Sequence, residues 1–329
     1  MQFLIDNFWA LTITGLTLGA VYALVALGYT LVYGVLRLIN FAHSEVFMYG
    51  TFAALWVVMF FGGRIGGSVG QVIFWVAAMF IAAMAMSGLI AVLLERFAYR
   101  PLRKRNAPPL IALISAIGAS FVLSELMGLR SRIASWVGLE DKLSDYVRNS
   151  RNNAGMATII QPQEVFNLGG YKVTNVDFLV IFGAIAIMLV LDQWVRRSRT
   201  GRGIRAVAMD PEAAALMGVN RDRVIQVTFL VGGIMAGAAA AFYMLKIGIT
   251  RYDAGFLLGV KAFTAAVLGG IGNLRGALLG GLVLGVAENY GSALVGSQWK
   301  DVVAFVLLIL VLLFRPTGLL GESLGKARV

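Results

Sequence analysis

Apolar residues run along this chain in long blocks, separated by short polar interruptions rich in arginine. Four blocks occupy residues 8–36, 41–62, 72–94 and 108–128, and two more occupy 177–195 and 225–246. Residues 257–292 are apolar but studded with glycine. They break at Gly269-Gly-Ile-Gly-Asn-Leu-Arg-Gly276, which predicts two short or broken helices. The last block, 300–314, stops at Arg315-Pro316. A helix needs about 20 apolar residues to cross a bilayer, and a backbone facing lipid must satisfy its own hydrogen bonds. The pattern therefore predicts an all-α polytopic membrane protein with about 8–10 transmembrane helices, some short or broken.

Two polar segments interrupt the blocks. Residues 129–176 carry arginine and Asp/Glu in similar numbers, with Asn-Asn-Ala-Gly and Asn-Leu-Gly-Gly turn clusters. They predict one external loop domain with short strands near Met156–Ile160 and Tyr171–Val173. Residues 196–224 form a base-rich connection. Within it Asp210 reads as an N-cap and Pro211 as the first helical residue, where a missing N–H costs nothing. Glu212 sits near the positive end of the helix dipole, Ala213, Ala214 and Met217 are good helix formers, and Gly218 is a natural stop. The result is a predicted helix of about two turns over 211–217. The chain then divides into helices over 1–128 with a basic loop at 95–106, the external loop 129–176, helices over 177–314 containing the 196–224 connection, and a tail 315–329.

Composition agrees with the membrane reading and narrows it. Of the 329 residues 59% are hydrophobic and 14% charged, where a soluble domain carries roughly 25% charged residues. The 39 glycines suit closely packed transmembrane helices, and Gly15-x-x-x-Gly19 has the spacing that lets two helices approach. The absence of cysteine excludes disulfides, thiol nucleophiles and thiolate metal sites, and a single histidine excludes a histidine-rich metal centre. The net charge of +11 raises the question of nucleic acid. Its bases lie in loops beside apolar blocks, however, so membrane topology accounts for them and no nucleic-acid partner is expected. The segments 95–106 and 196–224, with Arg37 and the tail, hold 16 of the 28 Lys and Arg residues. Base-rich loops are normally cytoplasmic, so the N-terminus is expected outside and the C-terminus inside. Met1–Asp6 lacks the basic region of a signal peptide, and the first block is expected to be retained.

Few groups inside the blocks can ionise, and the main ones are Glu45, Glu125, Lys261 and Glu288. Charges at membrane depth are by default candidates for a functional pathway, although each could also sit at a helix end and snorkel. His43, in Asn40-Phe-Ala-His-Ser-Glu45, either contacts a substrate or caps local backbone. Asn40, His43, Ser44, Glu45, Gly272, Asn273 and Glu288 are the candidates for a translocation pathway. Gly321-Glu-Ser-Leu-Gly-Lys326-Ala327 is one residue short of a phosphate-binding loop and lacks its Ser/Thr, and Gly270-x-Gly272 follows no strand. No nucleotide, metal or other cofactor is expected on this chain. Ser120 in Gly118-Ala-Ser-Phe raises an intramembrane serine protease, for which no oxyanion donors are apparent. A carrier driven alone by an ion gradient is a further alternative, because such carriers place broken helices and ionisable groups at mid-membrane.

Several motifs resemble a known family. Glu212-Ala-Ala-x-x-x-Gly218 is similar to the first half of the EAA loop of bacterial ABC importer permeases. The second half of that consensus, Ile-x-Leu-Pro, stands here as Thr228-Phe-Leu-Val231 and keeps only the leucine. Gly19-Ala-Val-Tyr-Ala-Leu-Val-Ala-Leu-Gly28, Ile39-Asn-Phe-Ala-His-Ser-Glu45 and Lys261-Ala-Phe-Thr-Ala-Ala-Val-Leu-Gly-Gly-Ile-Gly272 resemble the branched-chain amino-acid permeases of the LivH type. So do Arg275-Gly-Ala-Leu-Leu-Gly-Gly281 and Phe314-Arg-Pro-Thr-Gly-Leu-Leu-Gly321. The resemblance covers nearly the whole chain, and 129–176 lies outside it. It implies a non-enzymatic subunit of a bacterial inner membrane, paired with a second, LivM-type permease. It also implies two cytoplasmic ATPases that carry ATP and Mg, and a periplasmic substrate-binding protein. Asp210, Pro211, Glu212, Ala213, Ala214, Met217 and Gly218 would form the helix that docks on an ATPase.

Overall fold

The computed structural model describes residues 2–139, 141–147, 150–315 and 317–321. The elements, in chain order, are α1 (Gln2–Asp6), α2 (Phe8–Leu36), α3 (His43–Phe60), α4 (Val69–Leu94), α5 (Arg100–Lys104), α6 (Pro109–Gly128), α7 (Arg130–Trp136) and α8 (Ser144–Val147). The strands β1 (Ala154–Gly155), β2 (Glu164–Leu168) and β3 (Tyr171–Thr174) follow. The chain then forms α9 (Asn175–Arg197), α10 (Arg199–Met209), α11 (Pro211–Leu216), α12 (Arg221–Ile247), β4 (Ile249–Thr250), α13 (Ala254–Gly269), α14 (Leu274–Val295) and α15 (Lys300–Phe314). Each apolar block is a helix. Among the described residues seven helices are long and apolar enough to cross a membrane, and Ala254–Gly269 is a shorter apolar one. The phosphate-loop-like run at 321–327 and most of the 315–329 tail lie outside the described residues.

The bundle is assembled around α2, which is buried on every side from Gly19 to Val32. This explains why its sequence is apolar without a polar face. Its closest neighbour is α14, and the seam between them is built from glycine. A methyl group on Gly15 would lie 2.7 Å from the Val286 Cα, and one on Gly19 would lie 2.7 Å from the Gly281 carbonyl oxygen. Small residues matter here because lipid tails are as apolar as leucine, so helices associate through close packing rather than by escape from water. A second seam joins α12 to α4, where a methyl on Gly233 would meet Ala91 and the Ser87 carbonyl at 2.6 Å. The Ser87 hydroxyl donates to the Val46 carbonyl at 2.8 Å and ties α3 to the same junction.

Two helices begin inside the bundle. The first turn of α3 places His43 against Gly28 of α2, which also lies beside the Gly232 carbonyl of α12, so 37–42 fold back among the helices. Asn40 there is 2% exposed, and its Oδ1 accepts from the Tyr99 hydroxyl at 2.8 Å. The start of α13 lies against Ser44 and Glu45. The stretch before it is anchored where the Thr51 and Thr250 hydroxyls meet at 2.6 Å. Non-helical backbone of this kind is tolerated at membrane depth where it faces protein or a cavity.

The connections depart from the sequence expectations in three places. Residues 95–106 are helical almost throughout, since α4 continues through a π-helical turn, Glu95–Tyr99, into α5. The cause is Glu95, which is fully buried and gathers Arg100 at 3.0 Å and Arg103 at 3.1 Å. Arg103 also pairs with Asp222 at 2.6 Å, joining α5 to the start of α12. The 196–224 connection contains α10 ahead of the expected short helix, capped where the Gly201 N–H donates to the Ser198 hydroxyl at 2.8 Å. In the 129–176 segment, Met156–Ile160 is not a strand. Ile159 is instead 2% exposed in a cluster with Val58 and Met244. The strands that do form are β1, paired with β4, and the β2–β3 hairpin, whose turn uses Gly169 and Gly170 at φ 53 and φ 89. Two consecutive positive φ values are what a tight hairpin demands and what glycine supplies without strain.

The glycine seams predict a graded response to added bulk. Gly19→Leu and Gly281→Leu are expected to lower stability by at least about 1–3 kcal/mol through overpacking against backbone. Gly34→Ala meets open space and is expected to be neutral or stabilising by up to about 1 kcal/mol through helix propensity. Thermal unfolding of the detergent-purified variants checks both directions.

Candidate functional site

A half-open cavity of about 590 Å³ lies where α3 and α13 begin. That size is ordinary for a small-molecule site. Leu18 and Tyr22 of α2, Phe121 of α6, Ile247 of α12 and Phe256 and Leu257 of α13 give it apolar walls. Its polar groups are Glu45, Ser120, Ser124, Tyr243, Arg251, Asp253, Lys261, Lys300 and Asp301. Both signs of charge and a large aliphatic and aromatic surface therefore face one space.

Most of these charges are paired. Lys261 Nζ sits between Glu288 Oε1 at 2.6 Å and Asp301 Oδ1 at 2.5 Å, with the Tyr22 ring centroid at 6.0 Å. One cation between two carboxylates leaves a net negative cluster joining α13, α14 and α15. The Arg251 guanidinium is bidentate on Asp253, through Nε and through Nη2 at 2.6 Å. Glu45 is different. Its Oε1 accepts from the Ser120 hydroxyl at 3.2 Å, while the nearby Ser44 hydroxyl gives its one proton to the Phe41 carbonyl at 2.7 Å. Its Oε2 is buried with no hydrogen-bond partner among the described residues.

Of the seven pathway candidates, the structure brings Glu45 and Ser44 to this junction and ties Glu288 to it through Lys261. The other four lie off the cavity wall. His43 packs edge-on against Tyr29, with ring centroids 4.8 Å apart. Its Nε2 faces Gly28 and has no hydrogen-bond partner among the described residues. Asn40 is engaged by Tyr99. Gly272 and Asn273 form the α13–α14 turn, where Asn273 Oδ1 accepts from the Arg275 and Gly276 N–H groups at 3.0 and 3.2 Å. Asn273 Nδ2 donates to the Leu320 carbonyl at 2.8 Å, closing this turn against the segment after α15. Glu125 pairs with Arg151 at 2.6 Å near the 129–176 loop. The sequence reading missed Tyr22, Arg251, Asp253, Lys300 and Asp301. Asp301, in the first turn of α15, carried no sign of its partner because Lys261 lies far away in sequence. Ser120, considered as a nucleophile, orients Glu45 instead.

A second feature lies at the end of the bundle where the arginines gather. The α11 helix is capped as its sequence demands, with the Glu212 and Ala213 N–H groups donating to Asp210 Oδ1 at 2.9 and 3.0 Å. Pro211 opens the helix, and Gly218 follows it at φ 83. Ala214 is the side that faces the protein, whereas Glu212, Ala213, Met217 and Gly218 are exposed. Met209, Leu216 and Met217 are 82%, 89% and 85% exposed. An apolar knob is thus held out on a rigid two-helix mount. Arg37, in the left-handed conformation at φ 54, reaches the Ala208 and Met209 carbonyls at 3.4 and 3.5 Å and binds the mount to the end of α2. Arg205 donates to the Val195 carbonyl at 2.5 Å and fixes α10 on α9.

Comparison with known proteins places this geometry. A family model described as branched-chain amino acid transport system / permease component matches residues 11–312. The chain is 41% identical over 313 residues to the high-affinity branched-chain amino acid transport system permease protein BraD of Pseudomonas aeruginosa, covering 94% of both. It is 42% identical over 308 residues to LivH of Escherichia coli, again covering 94% of both. The probable branched-chain amino acid transport permease LivH of Methanocaldococcus jannaschii is 25% identical over 314 residues, 93% of this chain and 90% of that one.

The Lys261 cluster yields a stability test. Lys261→Met leaves Glu288, whose side chain is fully buried, without its cation, and is expected to cost about 3–5 kcal/mol. Adding Glu288→Gln is expected to restore much of the loss, because no uncompensated charge then remains. A double-mutant cycle on unfolding free energies measures the coupling.

Proposed function

The chain belongs to the family of branched-chain amino acid transport permeases, and from that premise we propose how its two features act together. It is the membrane-spanning permease subunit of an ABC importer. The cavity forms, with a second permease, the inward route for branched-chain or related hydrophobic amino acids. The observation that carries this reading is the cavity itself, where charges of both signs stand beside an aliphatic wall, as a zwitterion with an apolar side chain requires. ATP and Mg are held by separate ATPase subunits, and an external binding protein delivers the substrate.

The α10–α11 mount is the dock for an ATPase. A short helix with exposed Leu216 and Met217, fixed through Arg37 and Arg205 to α2 and α9, converts a push on its tip into a rigid-body movement of the helices behind it. Ala214 holds the helix to the bundle, and Asp210, Pro211 and Gly218 set where it begins and ends. The orientation follows from the same region. Arg37, the 95–104 helix and α10–α11 meet at one end of the bundle through the Arg37 and Arg103 contacts. A common base-rich end is expected in the cytoplasm, with the N-terminus outside and the C-terminus inside.

A second reading rests on one observation, that α3 and α13 begin at depth beside buried carboxylates, as helices do in ion-coupled carriers. Uptake into vesicles decides between them: the importer takes up leucine only with ATP, ATPases and binding protein present, whereas a carrier works on an ion gradient alone. Within the importer, Glu212→Lys and Gly218→Val are expected to leave membrane insertion intact while ATP hydrolysis and uptake come apart. Normal uptake per ATP hydrolysed in both variants would remove α11 as the docking helix.

A further inference from the structure

The carboxylates at the cavity have cationic partners, with one exception. Asp253 is held by Arg251, and Glu288 and Asp301 share Lys261. Glu45, which is 1% exposed, takes part in none of the ion pairs formed among the described residues. The Ser120 hydroxyl donates to one of its oxygens, and the other has no donor. A buried carboxylate lacking both a counter-charge and a donor is costly, and such groups are normally paired. The start of α13 packs closely against this oxygen, on the side of the cavity that Glu45 lines. A methyl on Gly255 would stand 2.8 Å from Glu45 Oε2 and 2.5 Å from the Ser44 carbonyl oxygen, so only glycine leaves room beside it.

We propose that Glu45 receives the α-ammonium group of an amino acid in transit, making the cavity a transient zwitterion site within the permease. This rests on the transport reading above and adds which group of the substrate this chain contacts. A primary ammonium supplies the missing positive charge and up to three N–H donors, one of which completes Oε2. Lys300 lines the same cavity and provides the cationic side that a carboxylate needs. Leu18, Phe121 and Phe256 offer apolar surface to a branched side chain. Neutral amides and urea have no charge with which to complete Glu45, so the residue selects for ammonium-bearing substrates.

The test uses the membrane complex of this chain with its partner permease and ATPases, in nanodiscs without ATP or binding protein. Binding of radiolabelled leucine is measured with two competitors, 3-methylbutylamine, which keeps the ammonium, and 4-methylpentanoate, which keeps the carboxylate. The wild-type complex is expected to bind leucine saturably and to release it to either competitor. Glu45→Gln is expected to weaken leucine binding by about ten- to a hundredfold, the loss of one charge-assisted contact. It should also abolish displacement by 3-methylbutylamine and retain displacement by 4-methylpentanoate. Leucine binding by Glu45→Gln within about twofold of wild type would overturn the proposal. So would failure of 3-methylbutylamine to compete on the wild-type complex, or the absence of leucine binding to it. If Glu45→Gln does not assemble, the wild-type competition alone decides. ATP-driven leucine uptake by wild-type vesicles with binding protein runs in parallel. Uptake with failed competition removes the ammonium contact and leaves the importer standing, and no uptake removes both.

Discussion

Everything in this bundle depends on how closely backbones can approach along α2. In lipid the hydrophobic effect does not draw helices together, so their packing rests on dispersion between well-fitted surfaces and on a few interhelical hydrogen bonds. The glycines that α2 and α14 turn toward each other let the two helices meet backbone to backbone. The contact at Gly28 admits His43 and so allows α3 to start inside the bundle. Without that approach the first turn of α3 could not stand beside the first turn of α13, and the cavity would lose two of its walls.

The buried charges follow from this arrangement. Helices that begin at depth bring polar backbone and the residues around their first turns into the interior, and each charge there needs a partner. Lys261 serves two carboxylates from two other helices, and Glu95 gathers two arginines. The first cluster joins three successive helices, and Arg103 extends the second to Asp222 at the start of α12, which gives both a role in holding the bundle in one arrangement. Glu45, left with one free oxygen, is the exception that faces the cavity.

The two features of the chain are mechanically connected. Arg37 caps the end of α2 and holds the α10–α11 mount, and nearer its start α2 carries Leu18 and Tyr22 on the cavity wall. On the proposed docking role, a movement of α11 would reach the cavity through a single stiff helix, with Arg103 and Asp222 linking α12 to α5. A coupling route of this kind needs no long relay of side chains.

The amino-acid sequence by itself determined the helices, because an apolar block of membrane length and a capped turn such as Asp210-Pro211 are local features whose physics needs no distant partner. The membrane class, the helices of the apolar blocks, the α11 helix and the family resemblance were all legible in this way. It also singled out Glu45 and Glu288, since a carboxylate within an apolar block is conspicuous in any context. What only the tertiary structure decided were the relations across the chain. These include Lys261 with Asp301, Asn40 with Tyr99, and the placement of Gly272 and Asn273 at a closed turn away from the cavity. The helical course of 95–104 belongs with them, since Glu95 draws its arginines inward only once α4 is packed. Charge pairing and backbone approach are set by distances in space, and no local pattern of residues encodes them.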